Sequence, residues 1–192
     1  MPVTVTHTEF LISDHPIEDL SDYLIRELRS DHAGETGAVY IYRGITAIAS
    51  FYQDQDLIDF AKRHGDTEIE HLHFIESWLK PSERSKLLGP WRLAGWLTGA
   101  LPALFGKRAV YATIAAVETF VDEHYQQQID HLEKYSGPGG LLPLLQRCQA
   151  DERHHRNEAA SYSSIQPNWI LRTWCAIVGS GSAVAVMLAR RF

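Results

Sequence analysis

Apolar positions recur every three to four residues almost throughout this chain, and no useful stretch alternates apolar and polar residues as a half-buried strand would. The expected fold class is therefore all-α. Four long segments carry the pattern, at about 17–52, 55–79, 107–135 and 141–163. Pro81 ends the second, Gly106 precedes the third, and Ser136-Gly137-Pro138-Gly139-Gly140 separates the third from the fourth. Two further segments, about 91–105 after Gly89-Pro90 and 168–189 after Pro167, are apolar with few charged positions. Long amphipathic helices joined by short connections pack as a bundle. A single domain over residues 1–192 is expected, with no flexible linker.

The apolar seams hold residues that do not belong in an oily stripe. Glu35 stands in the seam Leu28, Asp31, Ala38, Tyr42 and Ile45, and Glu118 in the seam Tyr111, Ile114, Val121 and Tyr125. Glu35 is followed 33 residues later by Glu68xxHis71, and Glu118 34 residues later by Glu152xxHis155. Residues at i and i+3 share a helix face, so each pair aims one carboxylate and one imidazole at a common point. Two competing registers, Glu70xxHis73 and Asp151xxHis154, are set aside on their neighbours. The first would put Asp59, Arg63, Asp66 and Lys80 in the seam, the second Glu158. Burying ionised carboxylates without partners is costly, and a metal is the natural compensation.

Six such positions suggest a two-metal site. Glu35, Glu68, His71, Glu118, Glu152 and His155 form the ligand set of the ferritin-like dinuclear carboxylate proteins, four-helix bundles that hold two iron or manganese ions. Bundle symmetry puts Glu68 and Glu152 between the ions and makes Glu35 and Glu118 terminal. Four carboxylates and two imidazoles are a hard donor set, suited to iron or manganese over copper. Metal-bound imidazoles usually donate their other nitrogen to a carboxylate, and Asp31 and Asp151 are the candidates for orienting His155 and His71. His32, His64, His73 and His154 are assigned to packing or surface.

Composition narrows the partners. The formal net charge is -6, yet residues 84–117 and 159–192 contain basic residues and no acid. Those basic residues are interleaved with apolar runs, with no Lys/Arg stripe beside stacking aromatics, so nucleic acid is not an expected partner. A membrane lipid surface fits better. Residues 93–105 are too short for a span that needs about 20 residues, and the 17 residues 173–189 are borderline, so in-plane, half-immersed helices are expected. Trp91, Trp96, Trp169 and Trp174 are placed as interfacial anchors. Plain core packing or a homo-oligomer interface is the other use for such runs. Cys148 and Cys175 form no CxxC, which argues against a zinc ribbon or disulfide framework and for a reducing compartment. The acidic N-terminus resembles neither a signal peptide nor a transit peptide.

Several runs resemble the demethoxyubiquinone hydroxylases of ubiquinone biosynthesis, membrane-associated di-iron monooxygenases. They are Arg29-Ser30-Asp31-His32-Ala33-Gly34-Glu35-Thr36-Gly37-Ala38, Glu68-Ile69-Glu70-His71-Leu72, Ala116-Val117-Glu118 with His124-Tyr125, and Asp151-Glu152-Arg153-His154-His155. The resemblance spans about residues 22–192 and implies the same six metal ligands and two iron ions per chain. It further implies hydroxylation of a polyprenylated benzoquinol lacking one ring oxygen, with NADH as the ultimate electron source, and a lipid-presenting partner protein of the pathway. His124 and Tyr125, as the catalytic pair of the motif, would face the substrate or the electron route. Without a presequence, the expected location is peripheral, on the cytoplasmic face of a bacterial inner membrane; a processed mitochondrial form would sit on the matrix side of the inner membrane. The alternatives are a soluble ferritin-like iron oxidase or oxygen-reducing protein, and a helical membrane scaffold that leaves the buried ligands unexplained.

Overall fold

The structure is a computed structural model and describes residues 20–163 and 168–192. Six helices account for nearly all of them, in the order α1 (Asp22–Phe51), α2 (Gln55–Trp78), α3 (Leu88–Ala103), α4 (Lys107–Tyr135), α5 (Leu141–Ser161) and α6 (Trp169–Ala189). No strand occurs among the described residues, so the all-α expectation holds. The expected start near Ile17 and the turn at Pro167 lie outside the described residues. Local signals set the other boundaries. Ser21, Asp54 and Asn168 cap α1, α2 and α6 by accepting the amide hydrogens of Leu24, Leu57 and Leu171. Gly106, at φ +90°, turns the chain from α3 into α4, a conformation open to glycine at little cost.

Helices α1 and α2 form one antiparallel hairpin, α4 and α5 another, and α3 is the crossover between them. The result is a ferritin-like four-helix bundle, with α3 and α6 added on one side of α1 and α4. The seams expected from the sequence are the buried faces: Leu57, Ala61, Glu68, His71 and Ile75 of α2 are buried, while Glu70 and His73 are exposed. Two apolar clusters fill the interior. One gathers around Ile45, Phe60, Val110 and Ile114, the other around Leu28, Ile75, Ile129 and Leu145. Between them lies a layer of buried carboxylates and imidazoles.

The α1–α3 contact is unusually close. A Cβ added at Gly95 would lie 2.2 Å from the Gly37 carbonyl oxygen, one at Gly99 2.0 Å from that of Ile41, and one at Gly44 2.2 Å from that of Trp96. Missing side chains on both helices let the backbones meet, a packing mode favoured where lipid-like surroundings leave little hydrophobic drive between helices. Helix α6 lies along α4 and α1, held at one end by a Trp174 Nε1–H to Thr113 Oγ1 hydrogen bond of 2.9 Å. At the other end Arg190 Nη2 reaches Glu27 Oε2 at 2.7 Å, and the Lys86 amide donates to the Phe192 carbonyl at 2.7 Å. By length and composition α6 could cross a membrane. Leu93, Leu97, Leu104 and Phe105 of the α3 segment and Ile170, Ile177, Val184 and Met187 of α6 are exposed. Of the four tryptophans expected at the interface, Trp96 and Trp169 are exposed, whereas Trp91 and Trp174 turn inward to line a cavity.

Candidate metal centre

All six residues singled out by the seams converge in the polar layer. Donor atoms of Glu35, Glu68, His71 and Glu152 lie within 4.8 Å of one another, as do those of Glu68, Glu118, Glu152 and His155. The two groups share Glu68 and Glu152, so the arrangement offers two adjacent positions with a common pair of carboxylates. All six are buried.

Hydrogen bonding shows what the layer lacks. Glu68 Oε1 and Oε2, Glu152 Oε2 and His155 Nδ1 are buried with no hydrogen-bond partner among the described residues. His155 Nδ1 lies 3.1 Å from Glu68 Oε1, close but without hydrogen-bonding alignment. Orphaned donors and acceptors of this kind are rare inside proteins. Cations between them would satisfy every one, so the donor set fits two hard divalent ions.

The protonation pattern agrees. Burial, with the charges of Glu68 and Glu152 beside it, pushes the Glu35 carboxyl well up from its ordinary value. Burial with Glu152 and Glu68 does the same to Glu118. Burial also pushes Glu68 up, but the imidazoles of His155 and His71 close beside it outweigh this and hold the carboxyl low. Burial would lower both histidines, yet their carboxylate partners prevail, raising His71 strongly and His155 to about 9. The protein thus keeps protons where cations would otherwise compensate its buried charge.

Around the six, the structure corrects one expectation and supplies a residue the sequence did not single out. Asp151 takes its expected place, with Oδ2 3.1 Å from His71 Nε2, which leaves His71 Nδ1 facing Glu152 at 3.1 Å. Asp31 does not reach His155; it pairs with His124 Nε2 at 2.9 Å and accepts from Gln128 Nε2 at 2.9 Å. The reason is register. In antiparallel α1 and α4, Glu35 faces Tyr125, so Asp31, one turn earlier on α1, meets the neighbouring His124 and Gln128 of α4, whereas His155 lies on α5. Tyr125 donates its hydroxyl to Glu35, and Tyr42 donates to Glu118 Oε1 at 3.1 Å. Each tyrosine lies seven residues beyond the glutamate of its own helix and ties the glutamate of the other. Tyr42 was legible only as the counterpart of Tyr125 in the repeated Glu-x6-Tyr spacing. His32 and His64 are buried against Glu76 and Glu158, and His73 and His154 are exposed.

A cavity of about 440 Å³ opens onto the site. Glu35, Glu68, Glu118 and Glu152 line it, His124, Tyr125 and Phe120 stand on its wall, and apolar residues of α3 and α6 enclose the rest. A second, more polar hollow of about 550 Å³ lies between the ends of α2, α4 and α5, lined by Asp56, Arg63, Lys107 and Tyr162 and by none of the six metal-site residues.

The sequence profile described as ubiquinone biosynthesis protein COQ7 matches residues 22–189, which takes in every helix of the bundle. This chain belongs to the COQ7 family. It is 30% identical over 189 residues to the NADPH-dependent 3-demethoxyubiquinone 3-hydroxylase of Dictyostelium discoideum mitochondria, covering 96% of this chain and 85% of that protein. The human mitochondrial protein of the same name is 30% identical over 195 residues, covering 97% and 86%. A bacterial relative, the 3-demethoxyubiquinol 3-hydroxylase of Rhodospirillum rubrum, is 33% identical over 133 residues, covering 69% and 61%. The COQ7 relatives thus include mitochondrial and bacterial proteins, and those reported are named as hydroxylases.

Proposed function

We propose that this COQ7-family chain is an oxygen-dependent monooxygenase that hydroxylates the ring of a polyprenylated demethoxy-benzoquinol in ubiquinone biosynthesis. One observation carries the reading above all: a single cavity has the four metal-site glutamates on its lining and two apolar helices as its walls. A ring that enters between α3 and α6 reaches the carboxylate layer, while an isoprenoid tail stays among exposed apolar side chains. Two iron ions held by Glu35, Glu68, His71, Glu118, Glu152 and His155 would supply the redox chemistry with dioxygen. Everything else falls to the protein. Phe120, His124 and Tyr125 line the space where the ring would lie, and α3 and α6 exclude water from it.

A reduced nicotinamide nucleotide is the proposed electron source. Several relatives carry NADPH dependence in their names, so the nucleotide expected from the sequence, NADH, widens here to either form. The exposed apolar face of α3 and α6 supports a peripheral position on a membrane lipid surface, either the cytoplasmic face of a bacterial inner membrane or the matrix face of a mitochondrial one. The same face would receive a lipid-presenting partner or a second copy of the chain.

Deletion in a host with no second such hydroxylase tests the reading. Cells should accumulate the demethoxy quinone and lose the mature one, and Glu35→Ala or His155→Ala should fail to restore it. An unchanged quinone profile, with iron oxidation intact in the pure protein, would leave a ferritin-like iron oxidase in its place.

A further inference from the structure

Three residues that take no part in the six-residue layer lead inward to it from solvent. His154 of α5 has a side chain 73% exposed, and its Nε2 lies 3.8 Å from Oε2 of Glu158, one turn later and 17% exposed. The same Oε2 lies 2.9 Å from Nε2 of His64 on α2, whose side chain is 3% exposed. The His64 ring meets that of His155 edge to face, with centroids 4.1 Å apart, and His155 Nδ1 lies 3.1 Å from Glu68 Oε1. Hydrogen bonding does not account for this line. His64 Nε2, like His155 Nδ1 and Glu68 Oε1, is buried with no hydrogen-bond partner among the described residues, for all its nearness to Glu158. Leaving such groups unpaired is costly. Glu158 is held by its other oxygen: Arg63 donates to Oε1 at 2.6 Å and Tyr162 at 3.3 Å, which leaves Oε2 to the two imidazoles. The approach through the cavity offers no such series, because mainly apolar residues of α3 and α6 enclose it.

We propose that His154, Glu158 and His64 form the loading path of the metal centre. A divalent cation leaves solvent at His154, is held at Glu158 Oε2 between the two imidazoles, and passes by His64 to the position of His155 and Glu68. The proposal rests on the metal centre and not on the quinol reading. Taking an ion out of water in one step is costly, and donors met one after another spread that cost over several smaller steps. Imidazole and carboxylate are donors that suit iron or manganese. Arg63 offsets part of the Glu158 charge, so the ion is held loosely enough to move on. A path lowers the barrier in both directions and leaves the equilibrium where it was, which separates it from a supporting role.

The test follows ferrous ion entering and leaving the metal-free chain in detergent without oxygen. Entry is read as the rate at which added ion becomes inaccessible to a fast colorimetric chelator. Release is read as the rate at which the loaded chain yields ion to an excess of that chelator, and affinity by equilibrium dialysis. His154→Ala and Glu158→Gln should each slow entry and release alike, by about ten-fold, with affinity and two-ion occupancy unchanged. A supporting role would instead weaken affinity and speed release. His73→Ala, which removes an exposed histidine of α2 outside the line, should change none of the three. If Glu158→Gln does not fold, His154→Ala carries the test, since that side chain is exposed. Unchanged entry in His154→Ala, equal slowing in His73→Ala, or affinity lost with release accelerated overturns the path. No bound ion in the unsubstituted chain overturns the metal centre along with it.

Discussion

At the scale of the residue, the two tyrosine–glutamate ties make the sharpest predictions. Tyr42→Phe and Tyr125→Phe each remove the donor that holds a glutamate in place, and loss of such a partner weakens metal binding by about 10–100-fold. Iron retained after dialysis against a graded chelator should fall by that order in either variant. Asp151→Ala should do the same through His71. Protonation gives a second check. His155 is held at about 9 against an ordinary 6.5, and Glu35 and Glu118 are also held up. Groups with raised folded values bind protons more tightly when folded, so the metal-free protein gains stability on the acid side. For His155 that gain is full below about 6.5 and is lost as pH rises through about 9. Glu68, held low, acts in the opposite sense and only where pH falls through the carboxylate range. Metal must displace these protons, so loading at neutral pH should release them and tighten as pH rises. Calorimetric titration with ferrous ion in buffers of different ionisation heat would show it, and a heat independent of buffer would contradict it. The six convergent residues were legible because period and burial cost are written along a single helix. Tyr42 and the true partner of Asp31 were not, because they depend on how α1 slides against α4.

At the scale of the element, helix bounds follow from local punctuation, whereas helix neighbours do not. The spacing Gly95-x3-Gly99 is plain in the sequence, but nothing there says that Gly37, Ile41 and Gly44 lie opposite. That contact depends on backbone atoms of two helices far apart in the chain. It makes Gly99 sensitive: Gly99→Ala would force a methyl group against the Ile41 carbonyl and should destabilise the protein by about 1–3 kcal/mol, seen as a lowered Tm. Gly179 in α6 has nothing within 4 Å of an added Cβ, so Gly179→Ala should be neutral or stabilise by about 0.5–1 kcal/mol. Equal losses at the two sites would mean that α3 does not rest on α1 as described. The apolar run counted from the sequence, residues 173–189, is shorter than the 21-residue helix α6 because charge at Arg172 breaks an apolar count without breaking a helix.

At the scale of the whole molecule, α3 and α6 both pack on α1 and α4, both line the cavity, and both carry exposed apolar side chains. Replacing Leu101 and Phe105 with Asp removes two exposed apolar contacts and adds two charges at such a surface. Binding to anionic vesicles, followed by co-sedimentation, should drop by more than about ten-fold, with bundle helicity kept; unchanged sedimentation would place the membrane contact elsewhere. The polar layer between the two apolar clusters has a further consequence, for how long each molecule survives. Without cations the middle of the bundle is its weakest cross-section, while both ends keep their oily packing. Segments around Glu35 and Glu118 would open first and expose backbone to proteases, whose cleavage tracks the population of such openings. The lifetime of the polypeptide would then follow the supply of its metal, and a cell short of iron would clear the empty enzyme rather than store it.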